Sequence, residues 1–208
     1  MIKALVFDMG GVILKLDGEK CIRAFKEIAG FADIEDYLDL YHQKGYFSDL
    51  EEGKIGPDDF FRESLKHCAP GTDAETVRTC FDSLLASVDP SAVALLKSCM
   101  GRYRMFVLSN NNPISRAKFS RLLEAEGIPM EDVFERTFFS YELHLLKPGR
   151  EIYQKVVDEI GVRPDEILFI DDAAANIEGA ESVGIRTLLH VPGADLKAEV
   201  EERLKQLQ

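Results

Sequence analysis

Three short apolar runs, Ala4-Leu5-Val6-Phe7, Met105-Phe106-Val107-Leu108 and Ile167-Leu168-Phe169-Ile170, each end on polar residues and are too short for helices. Uninterrupted apolar runs of this length fit strands buried on both faces. Arg136 to Ser140 and Ile185 to His190 are weaker strand candidates. Helix-length amphipathic stretches such as Ser115 to Glu126 and Arg150 to Ile160 lie between the later strands. That alternation predicts an α/β fold in which a parallel sheet is covered on both faces.

The first interval departs from the rhythm, because about ninety residues separate the first two strong runs and most of them carry helical spacing. Helices are expected over Glu19 to Ala29, Asp33 to Gln43, Pro57 to His67 and Asp73 to Ala86, punctuated by Gly30, Gly53, Gly56, Pro70 and Gly71. Four such stripes can bury one another. Residues 16–88 are therefore expected to form an inserted four-helix cap, leaving 1–15 and 89–208 as the core. The links Lys15 to Gly18 and Val88 to Pro90 are candidate hinges. Leu196, Val200, Leu204 and Leu207 share one face of a C-terminal amphipathic helix, which reads as packing.

With 208 residues, 46% of them hydrophobic, the chain has an ordinary globular core in one domain with an insertion. Its 25 Lys+Arg against 37 Asp+Glu give a net charge of −12 with no basic run, which speaks against nucleic-acid and anionic-membrane partners. An anionic substrate must then find locally concentrated cations. Cys21, Cys68, Cys80 and Cys99 show no C-x-x-C spacing and read as reduced thiols; with no leader and no bilayer-length apolar run, a cytoplasmic location is expected.

In an open parallel sheet, ligands bind beyond the carboxyl ends of the strands. The residues there are Asp8, then Ser109 with Asn110, then Asp171 with Asp172. Each alone reads equally as a turn or cap residue. Together, three carboxylates at one rim of an acidic protein repel one another unless a cation lies among them, and hard oxygen ligands suit Mg²⁺ better than zinc. An Asp beside Mg²⁺ stays ionised and can attack phosphorus. Ser109 offers a hydroxyl, Asn110 an amide, the Met9-Gly10-Gly11 loop its backbone N–H groups, and Lys147 a fixed positive charge. By spacing alone Lys147 reads as solvent-facing, and His144 as incidental.

These residues resemble the four motifs of the haloacid dehalogenase-like hydrolase superfamily: Asp8-x-Gly10-Gly11-Val12, Val107-Leu108-Ser109-Asn110, Lys147-Pro148, and Phe169-Ile170-Asp171-Asp172-x-x-x-Asn176-Ile177. The resemblance implies a Rossmann-like three-layer α/β/α core with a helical cap, Asp8 as nucleophile, and Mg²⁺ held by Asp8, the main-chain oxygen of Gly10 and an acidic residue of the fourth motif. It places Asp172 as the direct ligand with Asn176 as its partner, and Asp171 as a neighbouring or water-mediated metal residue. Lys147, Ser109, Asn110 and Gly11 are its phosphate-site residues.

One position departs from the resemblance. Phosphatases of this superfamily usually carry a second Asp two residues after the nucleophile as general acid/base, and here that position is Gly10. Such a group contributes ~10²–10⁴-fold in rate. The alternatives are a substrate with an easy leaving group, such as an anomeric sugar phosphate, an acid recruited from Asp17, Glu51 or Glu52, or loss of turnover. The Asp-x-Gly-Gly-Val form resembles a subgroup that includes sugar-1-phosphate phosphatases. The expectation is a Mg²⁺-dependent phosphatase of a small phosphorylated metabolite; a regulatory binding protein and a dehalogenase are the alternatives, and the latter has no need of paired Asp171 and Asp172. The acidic pair of a receiver domain lies in its first strand, unlike here. No dinucleotide fingerprint or P-loop is present. The segment Tyr41 to Phe47 offers aromatic and polar groups suited to a sugar or other small polar substrate, and the Glu51-x-Gly53-x-Ile55 run that follows resembles a cap signature of the family.

Overall fold

The computed structural model describes residues 1–38 and 43–207. Its centre is a five-stranded sheet built from β1 (Ala4–Phe7), β4 (Arg104–Ser109), β5 (Arg136–Phe139), β6 (Ile167–Asp171) and β7 (Arg186–Leu189). The order across the sheet is β5-β4-β1-β6-β7, and every pairing is parallel. The strand period of two sorts the side chains into two cores. Leu5, Phe7, Val107, Leu168 and Ile170 pack with α5 (Pro90–Cys99), α6 (Pro113–Ala125) and α11 (Leu196–Gln206). Val6, Phe106, Leu108 and Phe169 face the other way, onto α9 (Arg150–Ile160) and α10 (Ala174–Glu181). This is the expected three-layer α/β/α arrangement, and it brings the carboxyl ends of β1, β4 and β6 side by side.

Between β1 and β4, the chain forms β2 (Leu14–Leu16), α1 (Gly18–Glu27), α2 (Tyr46–Glu51), α3 (Pro57–Leu65), α4 (Ala74–Asp82) and β3 (Leu85–Val88). Phe25 of α1, Phe47 and Leu50 of α2, Phe60 and Phe61 of α3, and Val77 and Phe81 of α4 bury one another in a third cluster, joined by Ile114 of α6. Asp17 and Asp73 cap α1 and α4, accepting from Lys20 N at 2.9 Å and Thr76 N at 2.8 Å.

The insertion differs from expectation at three places. Leu85 to Val88 is a strand rather than the tail of a helix: α4 stops at Asp82, and β3 pairs antiparallel with β2, so the two links expected as hinges lie at the ends of a two-stranded ribbon. The helix expected from Asp33 begins only as a 3₁₀ turn, Ile34–Asp36; the rest of that expectation, with Tyr41 and His42, extends outside the described residues. Helix α2 was not anticipated as an element of its own. The two remaining helices of the core, α7 (Met130–Val133) and α8 (Ser140–Leu143), are single turns flanking β5. The four cysteines are free thiols, and among the described residues no helix is long and apolar enough to cross a membrane.

Candidate active site

The turn after β1 sets the first half of the site. Ile13 N and Leu14 N both donate to Met9 O, and Gly11 N donates to Leu14 O at 2.8 Å, so the chain doubles back immediately after Asp8. Gly11 has φ +76°, and a Cβ there would sit 2.2 Å from Asp172 Oδ2. Only glycine permits both the left-handed backbone and this approach of the β1 turn to the β6 rim. The same turn uses the Gly11 N–H, so it is not a free phosphate donor as the sequence suggested; Gly11 contributes close approach. The Gly10 carbonyl accepts none of the hydrogen bonds that close the turn.

The carboxylates of Asp8, Asp171 and Asp172 each place an oxygen within 4.8 Å of the others. Lys147 joins them, contrary to the solvent-facing reading of its spacing: it is 5% exposed, with Nζ 2.9 Å from Asp8 Oδ1 and 2.7 Å from Asp171 Oδ2. Burial works against the Lys147 charge, but Asp171 and Asp8 override it and hold the ammonium above its ordinary pKa. Burial pushes the Asp8 carboxyl up to about 6 against the pull of Lys147, with Asp171 adding to the rise. Asp172 is raised by burial and then by Asp171.

Asp171 and Asp172 have different surroundings. Asp171 is fully buried and saturated, accepting from Lys147 Nζ, from Ala173 N at 2.8 Å, and from Asn176 Nδ2 at 2.9 and 3.1 Å. Asn176 is thus the partner of Asp171, not of Asp172 as the motif alignment placed it. Asp172 lines the open cavity with its carboxylate against Gly11.

That cavity, about 440 Å³, lies between the sheet rim and the inserted helices. Asp8, Gly10, Ser109, Asn110, Lys147 and Asp172 line one side of it, and Glu51, Leu16, Phe81 and Leu84 contribute from the insertion and its ribbon. Ser109 is buried at the end of β4. The Asn110 side chain is largely committed elsewhere: Oδ1 accepts from Lys147 N at 2.9 Å and Nδ2 donates to Lys147 O at 3.0 Å, gripping the segment before the cis Lys147–Pro148 bond. Its first role is to position the lysine.

Three contributors escaped sequence reasoning. Ser140 Oγ donates to Glu51 O at 2.6 Å and accepts from Asn111 N at 2.9 Å, tying the end of α2 to the core. His144, set aside above, lies with Nδ1 3.0 Å from Glu52 O and fastens the same helix end. Asn112 caps α6 through Ile114 N and Ser115 N, fixing the loop after Ser109. Ser140 and His144 pair with main chain 89 and 92 positions away, which no local pattern registers, whereas the Asn112 cap reaches only the second and third residues after it.

The donors suit a small divalent ion: the carboxylates of Asp8 and Asp172 and the Gly10 carbonyl are hard oxygens, with Asp171 close by and, among the described residues, Lys147 to offset the charge. Comparison with known proteins agrees. The chain is 34% identical over 201 residues to a D-ribitol-5-phosphate phosphatase of Bacteroides thetaiotaomicron, spanning 96% of this chain and 97% of that protein. A mutant HAD family enzyme from Bacteroides thetaiotaomicron, solved with magnesium and inorganic phosphate, superposes with a TM-score of 0.89 at 32% identity, covering 94% of this chain and 96% of the other. A predicted HAD-like family hydrolase of Porphyromonas gingivalis matches with a TM-score of 0.88 and 31% identity over 99% and 98% of the two chains. Residues 2–184 match the haloacid dehalogenase-like hydrolase family, and the chain belongs to that family.

Proposed function

We propose that this protein is a Mg²⁺-dependent phosphatase that hydrolyses a small phosphorylated metabolite through a phosphoryl group carried on Asp8. The carrying observation is that Asp8, Lys147 and Asp172 line a cavity of metabolite size, with buried Asp171 behind them paired to the lysine. Asp8, the Gly10 carbonyl and Asp172 would hold Mg²⁺, with Asp171 orienting Lys147 beside them. When bound, Mg²⁺ offsets the negative charge of the carboxylates and of the phosphate. Residues 16–88 act as the cap over the site.

The chain's own groups divide the remaining work. Asp8 supplies the attacking oxygen, and Lys147 lowers the repulsion between that carboxylate and the phosphate. Ser109 presents a hydroxyl to a phosphate oxygen, and Asn110 keeps Lys147 in place. Leu16, Phe81 and Leu84 form an apolar wall that limits water around the carbon skeleton of the substrate. The similarity to a D-ribitol-5-phosphate phosphatase supports a polyol or sugar phosphate as the substrate class.

The test is phosphate release from a panel containing D-ribitol 5-phosphate, sugar 1-phosphates and sugar 5-phosphates, with Mg²⁺ or chelator, beside Asp8→Asn. Mg²⁺-dependent release that the variant lacks is expected. Release by Asp8→Asn at the parental rate would overturn the assignment.

A further inference from the structure

Given that reading, on which this inference rests, the position that normally protonates the leaving group is vacant of a side chain. Gly10 carries none, and a Cβ there would meet Leu16 Cδ1 at 3.2 Å, so the space beside it is occupied by a hydrocarbon. Expulsion of an alkoxide from phosphorus still requires a proton. Three acids near the cap were open on sequence grounds, and the structure separates them. Asp17 accepts from Lys20 N as the cap of α1 and does not line the cavity. Glu52 pairs with Lys54 at 2.7 Å and accepts from Ser48 Oγ at 3.1 Å, away from the site. Glu51, one residue earlier on α2, lines the cavity with Asp8 and Lys147.

We infer that Glu51, delivered from the cap, is the general acid/base of this enzyme. Its carboxyl enters from the inserted helix, whereas the nucleophile Asp8 enters from the sheet rim. Helix α2 is held at this place by Ser140 Oγ on Glu51 O and His144 Nδ1 at Glu52 O, so the acid is positioned by core loops rather than left on a free helix end. No described residue makes a hydrogen bond or ion pair with the Glu51 carboxyl, in contrast to the engaged carboxylates of Asp171 and Glu52. The charged groups around it are Asp8, Lys147 and Glu52, with Asp172 across the cavity and the His144 ring beside its helix end. Burial, then the charge of Asp8, pushes its carboxyl up to about 8, while Lys147 pulls the other way; it is thereby stocked with a proton at neutral pH.

In the first step the Asp8 Oδ–phosphorus bond forms, the phosphorus–oxygen bond to the leaving group breaks, and the Glu51 proton passes to the departing alkoxide. In the second, water attacks phosphorus, its proton passes to the Glu51 carboxylate, and the Asp8 Oδ–phosphorus bond breaks. Phosphate leaves and protonated Glu51 is restored.

Leaving-group dependence tests this directly with the Mg²⁺-loaded enzyme. Glu51→Gln should lose on the order of 10²–10⁴-fold in kcat/KM on D-ribitol 5-phosphate, whose alkoxide needs the proton. On p-nitrophenyl phosphate, whose leaving group does not, the same variant should release one p-nitrophenolate per enzyme in a burst and then stall, because water activation is lost too. Glu52→Gln should keep parental rates on both esters. Equal losses on both esters without a burst, or parental turnover of D-ribitol 5-phosphate by Glu51→Gln, would overturn the inference. So would a parent protein that hydrolyses the aryl ester but no primary-alkyl phosphate. If Glu51→Gln loses cooperative unfolding, Glu51→Asp replaces it: a smaller loss on D-ribitol 5-phosphate than on truncation to Glu51→Ala supports the role, and identical losses refute it. A parent with no activity on either ester, or Asp8→Asn with full activity, removes the phosphatase reading itself, which is a distinct result.

Discussion

Replacing Lys147 with Met isolates the electrostatic design of the site. Nζ makes two buried ion pairs, 2.9 Å to Asp8 and 2.7 Å to Asp171, and the paired side chains are 2%, 11% and 0% exposed. At an effective dielectric of about 20, each pair is worth roughly 6 kcal/mol of Coulomb attraction, most of which desolvation offsets. Removing the lysine does not return that desolvation, because Asp8, Asp171 and Asp172 remain within 4.8 Å of one another. Breaking a buried pair in this way costs about 3–5 kcal/mol. For a domain of this size each kcal/mol lowers Tm by about 2–4 °C, so the chelator-treated variant should melt roughly 6–20 °C below the parent. Lys3→Met, which removes a surface pair with Glu166 and an exposed lysine, should shift Tm far less. Calorimetry at pH 7 with and without Mg²⁺ supplies a second readout. With no lysine to compete, Mg²⁺ should raise the Tm of Lys147→Met more than that of the parent. A drop below about 2 °C, within the range of a surface pair, or an equal Mg²⁺ shift in both proteins, would refute the reasoning.

Further outcomes follow from the same geometry. Gly11→Ala forces φ +76° on a side chain whose Cβ would collide with Asp172 Oδ2, so calorimetric titration should show Mg²⁺ affinity reduced at least about tenfold, with stability down by about 1–3 kcal/mol. Unchanged affinity would argue against Asp172 as a ligand. Glu51→Gln should stabilise the metal-free protein. The folded state binds the Glu51 proton more tightly than the unfolded state, so this group's cost is absent below pH 4.5, grows as pH rises and levels off above about 8. From 4.5 to 7 that amounts to about 3 kcal/mol as an upper bound. Urea unfolding should therefore separate parent and variant at pH 7 and bring them together at pH 4.5; a gap that is constant with pH would contradict a Glu51 carboxyl that holds its proton above the ordinary range.

Legibility in the sequence followed burial. Strands β1, β4 and β6 are covered on both faces, so their residues are continuously apolar and visible without knowledge of the fold. The ribbon of β2 and β3 was invisible because Leu14-Lys15-Leu16 is too short to show a period, and Leu84 and Leu85 extend the helical spacing of α4. At the site, the residue types placed after the strands were informative because a parallel sheet sends all those ends to one rim. The use made of each was less legible. Asn110 is a good phosphate donor by type, yet its amide grips the main chain of Lys147, 37 positions away. Lys147 looked solvent-facing because the two carboxylates that pair with it stand just after β1 and at the end of β6. Glu51 and Glu52 are adjacent and chemically alike, and only the phase of α2 against the core decides which of them meets the cavity.

The central claim is that Asp8 accepts the phosphoryl group. Acid quenching during turnover of a radiolabelled phosphate ester, followed by peptide mapping, measures it. The account predicts label on the peptide containing Asp8, sensitive to hydroxylamine and absent in Asp8→Asn. Label on another residue, or steady turnover with no label on the protein at any quench time, would contradict it.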